Sequence, residues 1–408
     1  MKVVVAMDSM KGSLTSREAG NAAREGILRA IPDAVVTVHT VADGGEGTTE
    51  ALVEAYGGQY IHKRVTGPYG ESVDAVYGYI ESRNLAVLEV ASAAGLTLSD
   101  RRDPLRATSY GVGELILDAV SRGCRNFIVG LGGSATNDAG LGMLSALGFV
   151  FRDKRGDRCG IFAESLSEVA SVSAAGVTQE LKECRFSVAC DVTNPLCGTQ
   201  GATYVFGPQK GVTAEQRELL DRAVSHFASV LEAELHAQAC QIPGAGAAGG
   251  LGFAFLSCLH AWLRPGIEVV LHALRLEESL RDAAFVLTGE GCLDGQTAMG
   301  KTPMGVAALA KCFGVPVIAL AGGPGVQRLR HQCFLSHPPG GHAAGAGYGA
   351  RLCGGKYSPD GGTGFPPHRL RDTEPLYAGK IIVGENCAII STAICMSKAP
   401  KPGGELPQ

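Results

Sequence analysis

Ala283-Ala-Phe-Val-Leu287-Thr-Gly-Glu290-Gly-Cys-Leu-Asp294-Gly-Gln-Thr-Ala-Met-Gly-Lys301 holds three kinds of local structure in one breath. The apolar run through Leu287 reads as a buried strand. Gly289 to Gly300 is a Gly-rich acidic loop, and Pro303 suits the first turn of a helix that continues through Ala310. Strand, loop, lysine and helix start in that order bring backbone amides, two carboxylates and an ammonium to one strand end. Ligands of open α/β sheets bind outside the carboxyl ends of their strands. The composition of this loop therefore predicts a phosphate and metal site.

Gly295 to Thr302 also matches the P-loop pattern letter for letter. A P-loop takes its first glycine directly from a strand so that its amides wrap the phosphates. Here the loop run Gly289 to Asp294 intervenes, and the match is set aside.

Outward from this stretch the chain alternates strand and helix. Val3 to Ala6 reads as a buried strand, Ser16 to Ala30 as an amphipathic helix capped by Thr15 or Ser16, and Ala34 to Val41 as a second strand. Val65 to Glu81 alternates as antiparallel strands do. Leu85 to Glu89, Asn126 to Gly130 and Arg185 to Cys190 are further strands, Gly111 to Ser121 and Ala214 to His236 are helices, and the run Phe253 to Leu263 reads as helical. The pattern predicts an α/β protein with a parallel, doubly wound sheet. Several strands empty into polar loops: Asp8 and Lys11, Asp43 and Glu46, Gly132 to Asp138, Asp191 and Asn194. Aspartate at a helix start is usually only a cap, but the recurrence at strand after strand predicts that these tips share one cleft. Gly132-Gly133-Ser134 can present amides to an anion. Beyond Gly323 sustained periodicity fades, and Gly, Pro, His and Cys crowd residues 324–408, which predicts a largely irregular tail.

With 408 residues, a charged fraction of 19% and a formal net charge of −4, the chain is long enough for two or three domains and lacks the basic excess of a nucleic-acid binder. No apolar run reaches membrane-spanning length, and no secretory signal opens the chain. The 13 cysteines form no C-x-x-C pair, so reduced thiols and a cytoplasmic location are expected. A Rossmann dehydrogenase would need G-x-G-x-x-G after the first strand, and Met7 to Ser13 does not supply it.

The runs Asp8-Ser-Met-Lys-Gly-Ser-Leu14, Val41-Ala-Asp-Gly-Gly-Glu-Gly-Thr48, Thr108-Ser-Tyr-Gly-Val-Gly-Glu-Leu115, Gly132 to Asp138, Ala189 to Leu196, Phe206-Gly-Pro-Gln-Lys-Gly211, Pro243 to Gly252 and Thr288 to Thr297 together resemble the bacterial type I glycerate kinases, in order, from residue 1 to about 323. The resemblance implies ATP-dependent phosphorylation of D-glycerate, generally at the 2-hydroxyl, with ATP and Mg²⁺. It implies two α/β domains, a Rossmann-like one from residues 1–84 and 283–323 and an inserted one from 85–282. A small-molecule substrate is implied, without nucleic acid or membrane, and a homodimer is compatible with it. By residue type and loop position, Asp191, Asp294 and Lys301 are the catalytic candidates, with Asp191 as the base. Gly289, Glu290, Gly291, Gln296, Gly132, Gly133 and Ser134 are assigned to the nucleotide, and Glu290 and Asp294 to the metal. Asp8, Ser9, Lys11, Asp43, Glu46, Asn194 and Lys210 are assigned to glycerate, while Gly132 to Ser134 and Lys210 suit either a phosphate or the glycerate carboxylate. Two departures stand out. Cys292 replaces the family's usual Arg, and residues 324–408 do not resemble the family's continuation, which points to a shifted reading frame that re-sequencing the DNA would test. The alternative to an active kinase is a binding-only remnant.

Overall fold

The structure, a computed structural model, describes residues 1–10, 13–293, 297 and 300–321. The expected tail, residues 324–408, lies outside the described residues. The chain divides into two compact units, one from Met1–Thr40 and the chain from Arg275 on, the other from Val41–Leu274.

Twelve strands are described, and their order along the chain sets the topology. They are β1 (Lys2–Met7), β2 (Val35–Thr40), β3 (Gln59–Thr66), β4 (Ser72–Ile80), β5 (Leu85–Glu89), β6 (Asn126–Gly130), β7 (Val150–Arg152), β8 (Ser171–Ser173), β9 (Arg185–Ala189), β10 (Trp262–Arg264), β11 (Phe285–Glu290) and β12 (Val317–Ala321). The first unit is a four-stranded sheet in the order β12-β11-β1-β2, parallel throughout. Val3, Val4 and Val5 are fully buried in it, which is why this strand reads as a continuous apolar run rather than an alternating one. Thr15 caps the following helix, Ser16–Ala30, through a capping box with Glu18.

The second unit has a six-stranded sheet in the order β10-β9-β6-β5-β4-β3. Its β5, β6, β9 and β10 run parallel, and the β3–β4 hairpin extends it antiparallel. Aromatic packing ties the middle together: Phe127 stacks on Phe186 at 4.7 Å between ring centres, and Phe255 tilts against Phe186 at 5.8 Å.

Two expectations are corrected. The first unit was expected to reach residue 84, yet β4 hydrogen-bonds along β5 from Gly78 opposite Val87 to Ile80 opposite Leu85, so the hairpin belongs to the second sheet. The apolar run Phe253 to Leu263 is not one helix. The helix Ala247–Cys258 ends first, His260 turns the chain at a φ of +49°, and Trp262–Arg264 pairs with β9 as β10. Among the described residues no helix is long and apolar enough to cross a membrane.

Candidate active site

In the first unit the carboxyl ends of β1 and β11 lie side by side, Met7 opposite Gly289. Asp8 and Glu290 therefore leave the same sheet edge, 7% and 6% exposed. Asp8 N–H donates to the Gly289 carbonyl at 2.9 Å. The Asp8 carboxylate accepts from the Ser9 amide at 2.6 Å and from the Thr302 hydroxyl at 2.7 Å. Glu290 accepts from the Thr297 hydroxyl. Lys301, half-buried, is the N-cap of the helix Thr302–Cys312, so the lysine stands where that helix gathers its unpaired amides. Gly291 follows Glu290 directly. The strand ends at Glu290, short of Gly295, so the P-loop match lacks the strand it would need. Lys11, Asp294 and Gln296, three of the expected site residues, lie outside the described residues.

In the second unit a cavity of about 360 Å³ opens at the carboxyl ends of β6 and β9. Asp43, Gly132 to Ser134, Asp191 and Lys210 line it, which brings together residues separated by more than half of this unit's sequence. Asp191 accepts from Gly266 N–H at 2.8 Å, the first residue of the helix Gly266–Ala273, and so its carboxylate is oriented by a helix N-terminus. Gly44, at a φ of +91°, lies so near Gly266 that a Cβ would stand 2.5 Å from the Gly266 Cα. Only a glycine with a left-handed backbone lets the Asp43 loop approach this closely.

Lys210 is an expected member in an unexpected setting. A lysine in a Pro-Gly turn is ordinarily solvated, yet this one is 2% exposed. Its ammonium donates to the Ser134 hydroxyl at 2.9 Å and to the Thr136 carbonyl at 2.7 Å. Burial pulls its pKa down from 10.5 to about 7, against the opposing field of Asp138. Among the described residues no acceptor takes the amides of Gly132, Gly133 or Ser134. One ammonium, one hydroxyl and three amides thus share a wall, the composition of an anion site.

Glu46 and Asn194 are not among the residues lining the cavity. The Asn194 side chain donates instead to the Gln200 carbonyl at 2.8 Å, and its own carbonyl accepts from Gly246 N–H, so it fastens neighbouring loops. Two acids carry more structure than their sequence context announces. Asp138, fully buried, accepts from the amide and hydroxyl of Ser109, both at 2.7 Å, and from the amides of Gly140 and Gly142. Burial raises its pKa against those hydrogen bonds. Glu89, at the end of β5, accepts from Thr49 N–H at 2.9 Å in the first turn of the helix Thr48–Tyr56, whose N-cap Gly47 has no side chain to offer. Burial raises the Glu89 pKa as well. Cys190, Phe206, Gln209 and Ala248 also line the cavity. The runs Ala189 to Leu196, Phe206 to Gly211 and Pro243 to Gly252 were the signals available for them.

Comparison with known proteins points the same way. Residues 3–335 match the glycerate kinase family. The chain is 47% identical over 324 residues to glycerate 2-kinase of Escherichia coli K12, covering 79% of this chain and 85% of that one. It is 48% identical over 324 residues to glycerate kinase of Bacillus subtilis 168, with the same coverage of 79% and 85%. A crystal structure assigned to a glycerate kinase 2 of Salmonella typhimurium LT2 superposes with a TM-score of 0.76 at 47% identity, covering 79% of this chain and 87% of that chain.

Proposed function

The chain belongs to the glycerate kinase family, and from that premise we propose that it moves the terminal phosphoryl group of ATP onto D-glycerate, giving 2-phosphoglycerate. The observation that carries the reading is the cavity at the ends of β6 and β9, which sets an oriented carboxylate, Asp191, in the same small space as an anion site. A hydroxy acid asks for both, one group to take the hydroxyl proton and another to hold the carboxylate.

Phosphoryl transfer is mostly positioning and charge neutralisation. The glycerate hydroxyl oxygen forms the new bond to phosphorus, the bond from phosphorus to the bridging oxygen breaks, and that electron pair leaves with ADP. The hydroxyl proton passes to Asp191, which acts as general base. In the first unit, the edge of Gly289, Glu290, Gly291 and Lys301 suits the nucleotide phosphates, and Asp294 and Gln296 extend the same loop in sequence. Lys301 neutralises charge on the transferred group. Of the residues assigned to glycerate, Asp43 and Lys210 are favoured by their place in the cavity wall.

Among the described residues no group of three His, Cys, Asp or Glu side chains could hold a metal ion. Mg²⁺ does not need such a group, since one or two carboxylates suffice and water and phosphate oxygens fill its octahedron. Asp8 and Glu290 on adjacent strand ends fit that requirement, and the buried Thr288 hydroxyl has no hydrogen-bond partner among the described residues. Those two carboxylates, with Asp294, would hold the ion, which when bound neutralises phosphate oxygens.

The test is turnover of D-glycerate with ATP in a coupled ADP-release assay, with the position of the product phosphate read by ³¹P–¹H NMR. No ADP release above the glycerate-free rate would end the reading, and a 3-phosphate product would correct it. Asp191→Asn keeps an oxygen for Gly266 N–H and should fold. It is expected to lower kcat by about a hundredfold or more, the usual worth of a general base. A near-normal kcat would take Asp191 out of that role.

A further inference from the structure

We propose that Lys210, the Ser134 hydroxyl and the amides of Gly132 to Ser134 form a single oxyanion seat for the acceptor's carboxylate. The proposal rests on the kinase reading of the cavity and adds to it the group that selects the substrate class.

Lys210 and Ser134 act at one point of the wall, because the Lys210 ammonium donates to the Ser134 hydroxyl at 2.9 Å. The Lys210 ammonium is buried with two neutral acceptors, a hydroxyl and a carbonyl. A buried charge ordinarily has an ionic partner, and among the described residues the acid whose field reaches Lys210 is Asp138. That carboxylate is already committed to Ser109, Gly140 and Gly142. An anionic ligand would complete the arrangement.

The charge in the cavity wall decides between a carboxylate and a nucleotide phosphate. Asp43 and Asp191 line the same space as Lys210, so the wall holds two acids for one ammonium. A multiply charged polyphosphate would meet repulsion from both aspartates that one ammonium cannot offset, whereas a singly charged acid is matched by Lys210. The volume of about 360 Å³ lies at the small end of ligand cavities. A three-carbon hydroxy acid fits that scale, with its carboxylate on Lys210 and its hydroxyl toward Asp191.

Protonation supplies a readout that a structural role would not produce. With its pKa near 7, Lys210 in the unliganded chain loses its charge across the neutral range. Asp138 behind it and Asp43 and Asp191 in the cavity wall are the acids that share its surroundings. Binding of a carboxylate should then weaken by up to about tenfold per pH unit above 7, one proton being linked to one anion.

The experiment is calorimetric titration of the nucleotide-free chain at pH 6.5 and pH 8.5 with D-glycerate, D-lactate and glycerol, and separately with ATP–Mg²⁺. Wild type is expected to bind both acids in preference to glycerol and to lose affinity for them at the higher pH. Lys210→Met is expected to weaken both acids by about a hundredfold, the scale for removing one partner of a buried charge pair, and to leave ATP–Mg²⁺ within threefold. Glycerol binding as tightly as D-glycerate would overturn the proposal. So would a wild-type affinity for the acids that does not change with pH, a measurement that needs no variant. A variant that loses ATP–Mg²⁺ while keeping D-glycerate would overturn it too, and would make the seat a phosphate site. Lys210-dependent binding without turnover would sink the kinase reading and leave the seat standing. Turnover with an unchanged KM in Lys210→Met would do the reverse.

Discussion

Lys210→Met should make the unliganded chain more stable at pH 6 and lose that advantage near pH 10. The Lys210 pKa is lowered on folding from 10.5 to about 7. The unfolded chain therefore holds a proton that the folded chain releases between those values, and stability rises with pH across that window. Below pH 7 both states are protonated and the full penalty of burying the charge is present, on the order of 5 kcal/mol. Methionine has a similar reach and removes the penalty. It also strips the Thr136 carbonyl of its donor, which costs about 1 to 3 kcal/mol. The net gain at pH 6 should be about 2 to 4 kcal/mol, read as a higher urea midpoint. Near pH 10 the lost hydrogen bonds should dominate and the order of the two proteins should reverse. A variant less stable than wild type at both pH values would show that the ammonium is not desolvated in solution. This gain would accompany lost binding of hydroxy acids, the trade between stability and activity expected where a site holds an incomplete charge.

Gly249→Ala should have a comparable effect in the opposite direction. Gly249 lies at a φ of +69°, and a Cβ there would stand 2.0 Å from the Thr136 carbonyl oxygen and 2.7 Å from the Asn137 Cα. Alanine in a left-handed conformation costs about 1 to 2 kcal/mol, and forcing backbone apart in a packed interior adds about 1 to 3 kcal/mol. We expect a loss of about 3 to 4 kcal/mol in the second unit. Trp262, the single tryptophan, sits on β10 of that unit and would report it by fluorescence during urea unfolding. The displaced oxygen is also the one that accepts from Lys210, so whatever folds should bind D-glycerate more weakly. Wild-type stability in this variant would mean that the two backbones do not meet as closely as described.

The buried parallel strands were legible because runs such as Val3-Val4-Val5 are apolar on both faces, and sheets covered on both sides select for that. The Ser16 helix was legible through its apolar periodicity and an N-cap at Thr15 or Ser16. The β3–β4 hairpin was recognised as antiparallel but given to the wrong unit, because strand alternation tells which face is buried and not which strand lies alongside. β10 was hidden because Trp262 and Leu263 continue the apolar run of the helix before them. What separates them is a left-handed turn at His260, a residue with no strong signal for one. At the cavity, residue type pointed to Asp43, Asp191, Gly132 to Ser134 and Lys210. The burial of Lys210 was not legible, since it depends on Ser134 and Thr136, far away in sequence. Asp138 and Glu89 were overlooked as structural acids for the same reason. Their partners, Ser109 and Thr49, are distant, and a carboxylate alone does not announce which helix start or loop it will hold.

The order β12-β11-β1-β2 has a consequence for how the chain is made. β1 and β2, with the helix between them, are complete once Thr40 has been added, yet the other edge of β1 is covered by β11, whose residues are synthesised near position 290. Throughout that interval an almost wholly apolar strand presents a bare row of amides and carbonyls, an arrangement that invites pairing with other chains. The intervening unit can reach its native pairing within its own sequence during the wait. The pair β1 and β2 is thus made long before its sheet can be finished, and its guardianship in between falls to whatever shields nascent chains.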